Sequence, residues 1–182
     1  KWGADDERGT LNYITEEKTV RAAQLAKTGK VYPLAIELKA KAPLWPGRHA
    51  NWHVATYHNP CGPGPGGAED ILMIHTHGST HVDALAHVFT EGQLYNGFGA
   101  EAVVCARGAS KNGISKIGGI VTRGVLLDVA GHHGVEHLPA EHIILPDEIE
   151  AIAKAQGVTI GSGDALLFRT GYMKVWKQDE GT

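Results

Sequence analysis

Cysteine is scarce: Cys61 and Cys105 are the only two in 182 residues. Two thiols cannot build a disulfide framework, so a reducing, cytoplasmic setting is the expectation. Long apolar runs are missing too, and no stretch approaches the ~20 residues needed to span a bilayer. Neither sign of charge dominates: 17 basic against 20 acidic residues give a formal net charge of -3 and a pI near 6.4. That balance leaves no footprint for nucleic acid or an anionic membrane. The 24 glycines include no phosphate-binding motif, because those at Cys61-Gly-Pro-Gly-Pro-Gly-Gly67 alternate with proline and no Lys-Ser/Thr or helix start follows. Internal repeats are absent. Lys1 in place of methionine leaves room for a lost leader. What remains is an ordinary globular composition, 42% hydrophobic and 20% charged, at a length that suits one domain with a sizeable core.

Histidine is plentiful by contrast, and four of the eleven fall at His75, His77, His81 and His87, with Asp83 among them. The apolar run Ile71-Leu-Met-Ile74 before them reads as a buried strand that delivers polar groups to a pocket. Gly78 and Ser79 then interrupt any regular pattern. His77, His81 and Asp83 form His-x3-His-x-Asp. Two neutral imidazoles and a carboxylate can take three positions around a divalent cation and leave others open, as catalytic sites do. On a helix Asp83 would point away from the two histidines. In an extended segment His81 and Asp83 share a side, and a turn at Gly78 folds His77 back onto them. A lone histidine beside a strand is usually a satisfied structural residue; four with an aspartate in thirteen residues favour a metal site. Nothing in the spacing requires His75, which reads as structural.

Elsewhere the pattern is mixed. Residues 1–14 read as an irregular arm. Thr15, followed by Glu16 and Glu17, opens an amphipathic helix that closes at Thr28-Gly29. Val31–Leu38 alternates as a strand does. Residues 40–70 read as a loop too long for a plain connection, carrying Trp45, His49, Trp52, His53 and His58. Tyr95-Asn-Gly97 is a turn, Val103–Cys105 a short strand and Gly124–Asp128 a better one. His132, His133, His137 and His142 form a second group of imidazoles, with no acid at a convincing spacing. Leu145–Gly157 is the clearest helix: Pro146 in the first turn, acids at the N-terminus, an Ile149/Ile152/Ala153 stripe, and Gly157 as the stop. Gly163–Gly171 turns into a buried strand. Strands interleaved with two convincing helices indicate an α/β domain with a mixed sheet.

The stretch His77-Gly-Ser-Thr-His81-Val-Asp83-Ala-Leu-Ala-His87 resembles the signature of the metal-dependent cyclase family, which includes bacterial kynurenine formamidases, isatin hydrolases and some polyketide cyclases. The family pattern is His-x-Gly-Thr-His-x-Asp-x-x-x-His. Here the glycine falls one place early, at Gly78, and Leu85 stands where many members have proline. Neither change removes a functional side chain. The resemblance implies that His77, His81 and Asp83 hold a metal and that His87 gives and takes the proton. Leu44-Trp45-Pro46-Gly47 is similar to a family segment whose tryptophan lines the substrate pocket, although Trp45 could equally anchor a loop. Gly163–Gly171 also resembles a segment leading toward the site. The implied fold is the swivelling β/β/α type, a curved mixed sheet with helices on one side. Members continue past the Arg169-Thr-Gly171 segment, with a later His and Glu completing a second metal position. The chain therefore reads as a single cyclase-like metal-hydrolase domain over 1–182 that stops before that part, or draws those groups from elsewhere, or binds one metal.

The function so implied is hydrolysis of an amide, lactam or ester in a small aromatic substrate, by metal-activated water with a histidine proton shuttle. Imidazole suits both proton transfers because it titrates near neutral pH. Zn2+ and Mn2+ both fit a shell of imidazole, carboxylate and water, and the resemblance implies a homo-oligomer. A polyketide-type cyclase using the same metal is the nearest alternative, and a non-catalytic metal- or ligand-binding module the next.

Overall fold

The computed structural model describes residues 1–40, 42–103 and 106–179. They fall into two compact units, Val31–Asp83 on one hand and Lys1–Lys30 with Ala84–Thr182 on the other.

The Val31–Asp83 unit is built on a hairpin. Strand β1, Trp52–His58, pairs antiparallel with β2, Gly67–Met73, in a register running from Trp52↔Met73 to His58↔Gly67. Pro60, Pro63 and Pro65 remove three backbone N–H groups from the Asn59–Gly66 connection. The Asn59 side chain ties it together, donating to the carbonyls of Pro63 and Pro65 at 3.2 Å each. Residues 40–70, expected to be loop, are thus half hairpin. The expected buried strand at Ile71–Ile74 is corrected in two respects: it starts at Gly67, and its side chains are exposed. Among the described residues of this unit no second layer covers the two-stranded ladder. Residues 31–38 form no strand; the Ile36 backbone bonds the side chains of Ser79 and Thr80 instead of a partner ladder.

The second unit carries the core. Its strands are β3, Gly124–Leu127, and β4, Ala165–Phe168, which pair in parallel from Gly124↔Ala165 to Leu127↔Phe168. Helix α1 is Glu16–Ala23, α2 Val129–His132, α3 Pro146–Ala155 and α4 Tyr172–Asp179. Along β3 Val125 and Leu127 point inward while Gly124 and Leu126 point out, as a period of two requires. Leu127, Val129, Ala130 and Ile152 are sealed from solvent, with Ile149 and Leu166 packed against them. Burial of that kind is worth about 1.5–3 kcal/mol for each large aliphatic side chain. The α3 stripe and its Gly157 stop (φ +66°) follow the sequence reading. Helix α1 is capped by Thr15, whose hydroxyl accepts from the Lys18 N–H, but ends at Ala23, short of Gly29. Tyr95–Gly97 is the expected turn, with Asn96 and Gly97 both at positive φ. Val103 follows a short 3-10 turn at Ala100–Ala102 instead of starting a strand; Val104 and Cys105 lie outside the described residues.

The chain is therefore a mixed α/β protein whose described strands form two small sheets, one antiparallel and one parallel. Among the described residues no helix is long and apolar enough to cross a membrane.

No residue of α1 is fully buried, and polar contacts help to hold it, among them the Thr19 hydroxyl on the Val121 carbonyl at 3.1 Å and an ion pair at Lys18. The Asp164 carboxylate, fully screened from solvent, takes Lys18 of α1 on one side and Arg123 on the other, with the Gly161 N–H at 2.7 Å. The Arg123 hydrogen bonds, aided by Lys18 and the Gly161 N–H and opposed by burial, hold Asp164 far below the ordinary aspartate range. A carboxylate depressed in this way adds stability that is present above its unfolded pKa of ~3.9 and is lost as pH falls below that toward the folded value. Asp164→Asn should cost on the order of 3 kcal/mol at neutral pH. In denaturant titrations, the gap to wild type should narrow below pH ~4. Equal midpoints at neutral pH, or a gap that ignores pH, would contradict the clamp.

Candidate metal centre

Beyond β2 the chain reaches a tight turn, in which the Gly78 N–H donates to the His75 carbonyl at 3.1 Å. Ser79 sits at φ +57°, an uncommon conformation for a residue with a side chain. Its neighbours hold it there. The Ser79 N–H donates to the Pro43 carbonyl at 3.1 Å and its hydroxyl to the Ile36 carbonyl at 3.2 Å. The Thr80 hydroxyl accepts from the Ile36 N–H at 2.9 Å, and the Arg48 guanidinium donates to the His77 carbonyl. Gly78 has to be small: a Cβ there would lie 2.3 Å from the Leu44 side chain and 3.2 Å from the His75 carbonyl.

The turn folds His77 back, as the spacing suggested. His77 Nδ1 stands 3.4 Å from Asp83 Oδ1. Two donors each ~2.1 Å from a cation at a tetrahedral angle lie roughly 3.4 Å apart, so this pair already has the separation of two metal ligands. The His81 ring meets that of His77 edge-on, with centroids 5.4 Å apart and planes at 82°. His81 Nδ1 lies 3.0 Å from the Ser79 carbonyl. With its proton on Nδ1, His81 keeps the Nε2 lone pair for a cation, the usual arrangement of a ligating imidazole. The three side chains grade from half-buried His77 to exposed His81 and Asp83. Two imidazoles and a carboxylate on a pinned turn fit a divalent cation by donor chemistry; His77 and Asp83 also have the spacing, whereas the structure brings His81 to the pair by ring contact and not at ligand spacing.

His75 contributes its carbonyl to the turn, and its side chain is exposed. Trp45 is exposed on a turn closed by the Arg48 N–H on the Trp45 carbonyl at 3.1 Å, with Gly47 at φ +86°. Because Arg48 also holds His77, the Trp-Pro-Gly turn and the His77 turn are fastened together. His87 belongs to the other unit, in a turn where its N–H donates to the Ala84 carbonyl at 3.0 Å. Its neighbour Ala86 donates to the carbonyl of Asn112, a residue buried to 1% exposure. Asn112 is fixed in turn by its N–H on Glu7 at 2.7 Å and its amide on the Tyr95 carbonyl at 2.9 Å. The Asn112 N–H, with Lys116 and Lys111 adding and burial opposing, holds Glu7 below the ordinary glutamate range.

Arg48 and Asn112 help to carry these turns, and the sequence reading did not single them out. Arg48 had one signal, its place directly after Trp45-Pro-Gly47. Asn112 had a weaker one, an Asn-Gly pair typical of a turn with positive φ.

The family model described as "Putative cyclase" matches residues 32–181. A solved structure described as that of a novel cyclase is 34% identical and superposes with a TM-score of 0.89, over 97% of this chain and 63% of its own length. The chain thus spans less than two thirds of that protein. Among curated proteins none matches. With a family match across most of its length and a similar solved fold, the chain belongs to the cyclase family.

Proposed function

We propose that the protein is a metal-dependent hydrolase of an amide, lactam or ester in a small aromatic substrate, an enzyme of the kind that cleaves non-peptide C–N bonds. The observation that carries this reading is the His77–Asp83 pair at ligand spacing on a turn held by Ile36, Pro43 and Arg48. His77, His81 and Asp83 would hold the cation, Zn2+ or Mn2+ by donor type. When bound, it supplies Lewis acidity toward a carbonyl and a water. His87 accepts the proton that water loses as the C–O bond forms. It then delivers that proton to the leaving nitrogen or oxygen as the scissile bond breaks, so one imidazole serves as base and then acid. Trp45 offers an exposed aromatic face on which an aromatic substrate can stack. Arg48 keeps that face in register with the His77 turn.

The description of the similar structure as a cyclase favours a second reading: ring closure by intramolecular condensation at the same centre. Small aromatic amides and lactams, offered with added metal, separate the two by whether they turn over. Binding of metal and substrate-like molecules with no turnover of any kind would instead mark a non-catalytic module. The same reading takes the swivelling β/β/α fold for the domain, a homo-oligomeric state and a cytoplasmic location.

Three variants test the assignments. His81→Ala should lose most bound metal, while His75→Ala should keep it; equal metal content in wild type and His81→Ala would remove the ligand set. His87→Ala should retain metal and melting temperature yet lose ~10²–10⁴-fold in rate. Joint loss of metal would make His87 a ligand. Lost stability with turnover kept per folded molecule would make it a packing residue.

Trp45 has its own test. Trp45→Ala should raise KM for an aromatic substrate at constant metal content, and an unchanged KM would return Trp45 to anchoring.

A further inference from the structure

The second group of histidines, which lacked an acid by spacing, gains one in space. His133 caps the end of α2, His142 sits in a turn closed by its N–H on the Pro139 carbonyl at 3.1 Å, and Glu148 lies in the first turn of α3. His133 Nε2 is 2.6 Å from Glu148 Oε1; His142 Nε2 is 2.9 Å from the same oxygen and 3.2 Å from Oε2. The two rings meet edge-on with centroids 5.1 Å apart, and His132 packs edge-on behind His133 at 5.4 Å. One ligand atom from each of the three lies within 4.8 Å of the others.

A carboxylate beside one histidine is an ordinary surface pair. Here two imidazoles bring the same ring nitrogen to one carboxylate, so that with the proton of each ring on Nδ1 two lone pairs and the carboxylate face a common point. Two imidazoles and a glutamate are the donor set of open zinc sites. We infer that His133, His142 and Glu148 form a binding site for a divalent d-block cation of the zinc type, distinct in its residues from His77, His81 and Asp83. Oxygen-seeking Mg2+ and Ca2+ are poor candidates for a site with two nitrogen donors. Opening the set from hydrogen-bonding to ligand spacing needs shifts under ~1 Å, since donors ~2.1 Å from a cation stand ~3–3.4 Å apart.

Two of the three groups stand on elements anchored in the core. Val129 and Ala130 of α2 and Ile152 of α3 are sealed in the core, so both helices that present ligands are fixed. Side-chain exposures of 40% for His133, 23% for His142 and 17% for Glu148 leave an entry path and room for water ligands. A cation there would tie the segment between α2 and α3 to both helices.

The test uses the full chain carrying His81→Ala, which disables the first centre, titrated with ZnCl2 in a calorimeter. One equivalent should bind, MgCl2 should not compete, and zinc should raise the melting temperature. Adding Glu148→Gln, close in shape to the native residue, should weaken zinc at least ~10-fold with the metal-free melting temperature little changed, and His142→Ala should do the same. If His81→Ala does not fold, stoichiometry in the otherwise native chain is read instead, falling from two to one with Glu148→Gln. No zinc bound by folded His81→Ala protein, or affinity unmoved by both added substitutions, would leave the cluster a hydrogen-bonded surface pair and overturn the site.

Discussion

The turn that carries His77 is held by more than its own hydrogen bond between the Gly78 N–H and the His75 carbonyl. Between Met73, where β2 ends, and Asp83, the chain must reverse, put Ser79 at positive φ and bring His77 against Asp83. The bonds that enforce this come from outside the turn: the backbone of Ile36, the carbonyl of Pro43 and the guanidinium of Arg48. Residues 31–38 form no strand, and there the backbone of Ile36 is given to the turn. The irregular segment is thus the scaffold of the candidate centre.

The other unit works by different physics. Its parallel pair β3/β4 and helix α3 close over Leu127, Val129 and Ile152, and from that core the polar groups of the loops are aimed. Asp128 ends β3, caps α2 through the Gly131 N–H at 2.8 Å and takes Arg169 at 2.6 Å. Gly171, at φ +76°, passes so near Glu136 that a Cβ would lie 2.1 Å from its carbonyl oxygen, which explains glycine after Arg169-Thr170. The Arg-Thr-Gly segment therefore owes at least part of its pattern to backbone packing.

What was legible in the sequence was local. Helix α3 showed its Pro146 start, its stripe and its glycine stop because all three signals lie within one segment. The fold-back of His77 was readable from Gly78-Ser79 between ligands of fixed spacing. Distant partners were not readable. Nothing near His133 or His142 announces Glu148, since the first-turn carboxylate of α3 reads as a complement to the helix dipole. Nor does the apolar run Ile71–Ile74 announce its exposure, because that depends on whether a second layer covers the hairpin. Val31–Leu38 alternates well enough for a strand, yet Ser79 and Thr80 compete for the Ile36 backbone and win.

Anomalous diffraction from crystals of the protein loaded with Zn2+ or Mn2+ tests the central claim most directly. The account predicts a strong metal peak within ligand distance of His77, His81 and Asp83, with the turn at Gly78-Ser79 as described. A fully loaded crystal in which that position is vacant, or in which the cation is held without those three side chains, would contradict it.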